Sequence, residues 1–294
     1  MRTLITGGSG LLGSALYECF TARGEVVERL ERNEISWSDH KKNVENIGNF
    51  DCIIHTAANT NVEACENDPE SCYRDNTFLT ERLAYAANQS HCKFIYISST
   101  GVYGTAEVER PYIEYDVANP TTHHHRSKLL GEQAVNHFSK ESLILRTGWL
   151  FGGDPTNIKN FVARRIEEAL SSPTKAIQSN VQQMGSPTYV GDLANLIYDL
   201  VRNGEIGTFN AVNEGFASRF DFVSKIIDLA HLDVVIDPVD ALNFKRKAEV
   251  SDNEMAINLK LMQLGYDLLP NWQKSLEDYI TIHLRAWLEA RYRK

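Results

Sequence analysis

The sequence predicts an α/β fold: a doubly wound parallel sheet joined to a smaller α/β lobe toward the C-terminus. Three observations point there. The chain opens on a short apolar strand, Met1 to Ile5, and breaks at Thr6-Gly7-Gly8-Ser9-Gly10-Leu11-Leu12-Gly13. It then passes at once into helical spacing through Leu16, Tyr17 and Phe20. Apolar strands and helical stretches alternate as far as Gly152, the pattern of a parallel sheet covered on both faces. Finally, the strands end in ligand-friendly residues: the glycine turn, Glu31, Ala57-Ala58, Ser99 and Thr147-Gly148. Open sheets bind their ligands at that carboxyl edge.

The glycines of the first turn have separate tasks. Gly7 makes the tight turn, Gly10 lets backbone approach a diphosphate, and Gly13 lets helix and strand pack closely. Leu11 and Leu12 open the helix, whose free N–H groups and dipole favour an anion. The spacing predicts a Rossmann-type dinucleotide turn rather than a Gly-rich turn of some other α/β protein. The second strand, residues 25–32, ends at Glu31, a carboxylate suited to the two hydroxyls of an adenosine ribose, with Arg32 behind it to meet a 2′-phosphate. The expected cofactor is NAD or NADP, with NAD slightly favoured.

A third strand, residues 50–56, ends in Ala57-Ala58-Asn59, and helical spacing resumes through Leu79 and Leu83. The fourth, Lys93 to Ile97, ends in Ser98-Ser99-Thr100-Gly101-Val102-Tyr103-Gly104. A polar loop with Pro111 and Pro120 leads to a helix carrying Lys128 and Glu132, then to a strand over Ser142–Arg146. Past Gly153 the rhythm changes: a helix from Phe161, the Met184–Tyr189 stretch, a helix through Leu193 and Leu200, and one more sheet strand at Gly207–Val212. Residues 1–152 are therefore expected to form the dinucleotide domain, with 190–212 returning to it. Residues 153–189 and 213–294 mainly build a substrate lobe.

Composition narrows the class. At 294 residues and 43 % hydrophobic the chain can bury a large core. A net charge of −9 without a long Lys/Arg run argues against nucleic acid or anionic membrane as partner. No stretch is apolar enough to span a bilayer, and no basic-then-apolar leader precedes the first strand, so a cytoplasmic protein is expected. Cys19, Cys52, Cys65, Cys72 and Cys92 include no CxxC pair and read as reduced core thiols, with no metal site expected.

Taken together, Thr6–Gly13, Ala57-Ala58, Ser98-Ser99…Val102-Tyr103-Gly104 and Leu145–Gly152 resemble an extended short-chain dehydrogenase/reductase. Arg146-Thr147-Gly148-Trp149, Gln183–Tyr189 with Asp192-Leu193-Ala194, and Leu269-Pro270-Asn271-Trp272 resemble, more narrowly, the dTDP-4-dehydrorhamnose reductase family. The likeness spans nearly the full length. It implies a reductase of a nucleotide-activated 4-keto-6-deoxy sugar in surface polysaccharide precursor synthesis, and carries an expectation of a homodimer.

Catalysis in that superfamily resembles a relay of Ser/Thr, Tyr and Lys. Here Ser99 matches the hydroxyl, with Thr100 as the fallback, and Lys128 matches the lysine. Four residues before Lys128, where tyrosine belongs, stands His124, flanked by His123 and His125. Two readings stay open: imidazole replaces phenol as the proton-transfer group, or the fold binds its ligands without turnover, like a regulatory subunit of methionine adenosyltransferase. An NAD-retaining epimerase or dehydrogenase is a third. The likeness further implies Asn76 and Thr147 on the cofactor side, and Tyr103, Trp149, Ser186, Pro187, Tyr189 and Arg246 on the substrate side. The family usually carries Arg-Pro near Arg246, whereas this chain reads Lys245-Arg246-Lys247-Ala248.

Overall fold

A computed structural model describes residues 1–30, 34–35, 39–105, 110–240 and 246–292. Glu31 and Arg32, the two residues expected to choose between NAD and NADP, lie outside the described residues. The first half runs β1 (Arg2–Thr6), α1 (Leu11–Ala22), β2 (Val26–Leu30), α2 (His40–Ile47), β3 (Cys52–His55), α3 (Val62–Asn67), α4 (Pro69–Tyr73), α5 (Leu79–Gln89), β4 (Lys93–Ser99), α6 (His123–Phe138) and β5 (Ser142–Thr147). The second half adds β6 (Trp149–Phe151), α7 (Phe161–Ser171), β7 (Ala176–Asn180), β8 (Met184–Gly185), β9 (Pro187–Tyr189), α8 (Val190–Arg202) and β10 (Gly207–Asn210). It closes with β11 (Ala217–Ser218), α9 (Arg219–Leu229), β12 (Val235–Val239), β13 (Asn253–Glu254), α10 (Leu259–Gln263), α11 (Trp272–Asp278) and α12 (Arg285–Tyr292).

Six strands form one sheet in the order β2-β1-β3-β4-β5-β10, every pairing parallel. The sheet is Rossmann-like. β3 and β5 are buried at every position, because helices cover both faces and leave no reason for polar alternation. On one face Leu12, Leu16 and Phe20 of α1 pack with Leu193, Ile197 and Leu200 of α8 over Ile5, Ile54 and Leu145. On the other, Leu79, Leu83 and Ala87 of α5 cover Leu4, Ile53, Phe94 and Ile144. Each such aliphatic side chain contributes about 1.5–3 kcal/mol by leaving water, and that holds the strand ends in place.

Strand order reverses between β1 and β3, with Thr6 level with His55 and Ser99 level with Thr147. That switch point opens the crevice a ligand uses. A second cluster gathers Trp149, Phe151, Val162, Ile166, Phe222, Ile226, Trp272 and Tyr279 around short pairings of β6 with β9 and of β8 with β11 and β13. Leu261 and Leu269 instead return to the sheet, joining the core with Phe209.

Candidate active site

Between the sheet edge and this second cluster runs a cleft of about 820 Å³. It touches Gly10 to Gly13, Ala58, Ser99, His124, Lys128, Thr147, Trp149 and Arg246, so most of the expected residues meet in one place. At one end lies the glycine turn. Gly7 adopts φ +68°, and a Cβ there would lie 2.7 Å from the Ala57 nitrogen; Gly13 backs onto the Gly7 carbonyl with no room for a side chain. No side chain caps α1, so its first N–H groups, which have no partner within the helix, face the cleft. The Thr147 hydroxyl on the opposite wall is buried without a hydrogen-bond partner among the described residues. Bare helix amides, a cradle that side chains would fill and an orphaned hydroxyl fit a bound dinucleotide.

The middle of the cleft carries the reactive groups. Ser99, at the tip of β4, accepts a hydrogen bond from the Gly101 N–H at 3.1 Å, which leaves its own hydrogen to donate. α6 starts at His123 because the Thr122 hydroxyl caps the His125 N–H. Successive residues then diverge by about 100° around the helix. His123 turns to Tyr73 (3.0 Å), His124 lines the cleft, and His125 approaches Glu254 at 3.9 Å.

The buried His124 ring has its Nδ1 at 2.9 Å from the Asn59 carbonyl, which can only accept, so Nδ1 carries the proton and Nε2 a lone pair. Burial, then the charges of His125 and Lys128, hold this imidazole well below its ordinary pKa, with the Asn59 bond opposing them. One turn on, the Lys128 ammonium sits 4.1 Å above the Tyr96 ring, and burial brings its pKa down to about 7. Beneath it Glu132 grips Arg146 at 2.7 Å and accepts from Ser98, bracing β4 and β5 against α6.

Asn76 stands behind the cleft. Its side chain brackets the Asn59 backbone, accepting from N–H at 2.7 Å and donating to C=O at 3.0 Å, and so fixes the loop that holds His124. Tyr103 is buried, stacks on Tyr112 at 4.7 Å and donates to Asn210, so its hydroxyl is not in the cleft. Tyr115 is exposed on the surface. Thr100 is buried beneath Ser99; Ser186 is tied to the Ala256 backbone, Pro187 pairs with Trp149, and Tyr189 packs against Phe151. These last three build the wall from behind.

The end of the cleft away from the glycine turn holds residues that the sequence did not single out. Arg219 lies with its guanidinium 3.4 Å from the centre of the Trp149 ring, and the indole N–H donates to Glu254 at 2.7 Å. Burial lowers the Arg219 pKa to about 10. Lys159, Arg164 and Arg165 add to a cationic lining around this end, with Gln183 beside them. Split between α9, α7 and the loop before α7, these cations make no local motif. The capping box at Ser218 and Asp221, which sets the start of α9 and hence Arg219, was the signal available.

The fold and cleft together are those of an extended short-chain dehydrogenase/reductase. Residues 1–284 match the family described as RmlD substrate binding domain, and the chain belongs to that family. It is 30 % identical over 282 residues to a dTDP-4-dehydrorhamnose reductase of Mycolicibacterium smegmatis, covering 95 % of this chain and 85 % of that one. A dTDP-4-dehydrorhamnose reductase structure from Clostridium acetobutylicum superposes with TM-score 0.90 at 27 % identity, over 96 % of this chain and 99 % of that one. Another, from Bacillus anthracis in complex with NADP, gives TM-score 0.88 at 28 % identity, over 95 % and 98 %.

Proposed function

We propose that this protein is a reductase of a nucleotide-activated 4-keto-6-deoxy sugar, of the dTDP-4-dehydrorhamnose reductase kind, supplying surface polysaccharide precursors. One observation carries the reading: a single cleft joins the dinucleotide turn to a cationic sugar-nucleotide end, with Ser99, His124 and Lys128 between them. When bound, the nicotinamide nucleotide supplies the hydride. Gly10 to Gly13 at the start of α1 would hold its diphosphate, with Thr147 of β5 facing it. Ser99 donates a hydrogen bond to the carbonyl oxygen and Lys128 adds positive charge below it, while the imidazolium form of His124 gives that oxygen the Nε2 proton and returns to the neutral ring. Trp149 walls the sugar, while Arg219, Arg246 and Arg164 face the substrate's diphosphate.

The cofactor is NAD or NADP, with Glu31 tilting the choice toward NAD. A homodimer in the cytoplasm completes the proposal; no described helix is long and apolar enough to cross a membrane. The test is turnover of dTDP-4-keto-6-deoxy sugars with NADH and with NADPH in separate arms. Net cofactor oxidation with release of the oxidised form supports a reductase. Interconversion of sugar epimers without net redox, or binding without turnover, contradicts it.

A further inference from the structure

Behind His124 three helices bring together side chains that the reaction does not use as a group. Cys65 of α3, Cys72 of α4 and His124 of α6 are all buried, and their ligand atoms lie within 4.8 Å of one another. The imidazole nitrogen on that side is Nδ1. The Asn59 carbonyl is 2.9 Å from Nδ1 and 3.8 Å from Cys65 Sγ, and the Asn76 amide nitrogen is 3.5 Å from both Nδ1 and Cys72 Sγ. We propose that Cys65, Cys72 and His124 Nδ1 form a binding site for one thiophilic divalent cation of the Zn²⁺ class.

Two thiolates and an imidazole are the donor set that borderline-soft metals prefer. Zn–S and Zn–N bonds of about 2.3 and 2.0 Å place tetrahedral ligands roughly 3.6 Å apart, so small rotamer changes close the site. Water or the Asn59 carbonyl takes the fourth position. Outer partners stand close by: Asn76 Nδ2 is 3.5 Å and the Ser127 hydroxyl 3.4 Å from Cys72 Sγ, and a thiolate there would draw hydrogens that now go to the Asn59 carbonyl, Ser127 and the His124 carbonyl. Binding releases the two thiol protons, and the metal takes the Nδ1 lone pair. The neutral imidazole then carries its hydrogen on Nε2, turning the cleft side of His124 from an acceptor into a donor. That consequence rests on His124 as the proton-transfer group; the site itself does not.

The test is a Co²⁺ titration of the full-length, reduced protein followed by absorption, with Zn²⁺ as competitor and NADH oxidation measured on the same samples. The expected result is one Co²⁺ per chain, thiolate-to-cobalt charge-transfer bands, and displacement by one Zn²⁺. Cys65→Ser and Cys72→Ser each weaken binding by more than the roughly 10–100-fold that loss of an outer partner costs, while Cys92→Ser binds as the native chain does. Should a serine variant fail to fold, zinc-edge X-ray absorption of the native protein reads the same ligands, with two sulfurs at about 2.3 Å. No thiolate band, or a band that survives both serine variants, overturns the site. Binding without turnover leaves the site standing and counts against the reductase reading; turnover without binding does the reverse.

Discussion

His124 and Lys128 lie one helical turn apart on α6, line the same cleft, and are both pushed toward their neutral forms by burial. Delivery of a proton to a sugar carbonyl needs the charged forms, which are present only below the respective pKa. The single-turnover reduction rate is therefore predicted to fall as pH rises through about 7, where Lys128 loses its charge, with His124 already neutral there. Oxidation of the alcohol needs Nε2 as a base, and that lone pair is already free across the interval, so the oxidation rate should not rise there through His124; a pH profile in each direction checks both expectations. Lys128 also bears on stability. Its folded pKa of about 7 lies well below the roughly 10.4 of an unfolded lysine, so the unfolded chain binds more protons between those values and stability rises with pH across them. Lys128→Met is predicted to abolish turnover, to flatten that slope in denaturant melts, and to stabilise the fold at neutral pH by on the order of 1 kcal/mol or more.

At the scale of elements, the site depends on how β4, β5 and α6 are locked together. Glu132 bridges Arg146 and Ser98 in the interior, and removing it leaves the guanidinium buried against Tyr103 without its counter-charge. Glu132→Ala is predicted to cost about 3–5 kcal/mol in urea unfolding, whereas the exposed pair Lys274–Asp278 should cost under about 1 kcal/mol when broken. The start of α9 is the second such device. Asp221→Ala removes half of the capping box and should cost about 1 kcal/mol. Arg219→Gln, by contrast, removes the guanidinium stacked on Trp149, and is predicted to raise KM for the nucleotide-sugar about tenfold or more with a smaller change in kcat.

For the whole molecule, the sheet and the glycine-turn end of the cleft were legible because their signals are local: glycines at fixed offsets, fully apolar strands, and small residues at the strand ends. The sixth strand at Gly207–Asn210 was legible for the same reason. The opposite end was not, because Arg165, Gln183, Arg219 and Glu254 lie far apart in sequence and meet only in the folded chain. Tyr103 shows the converse. Its sequence neighbourhood points to the cleft, yet the turn after β4 directs the ring to Tyr112 and Asn210. Cys65 and Cys72 carry no metal spacing, and only the packing of α3 and α4 on α6 brings them to His124. In the proposed reaction His124 takes the place of a phenol. The most direct measurement is single-turnover oxidation of the reduced cofactor by a dTDP-4-keto-6-deoxy sugar, comparing the native chain with His124→Ala and His124→Tyr. The account predicts that the native chain turns over, that alanine slows hydride transfer by about 10²–10⁴-fold with cofactor affinity little changed, and that tyrosine restores much of the loss. An alanine variant as fast as native, or a silent native chain that tyrosine awakens, would contradict it.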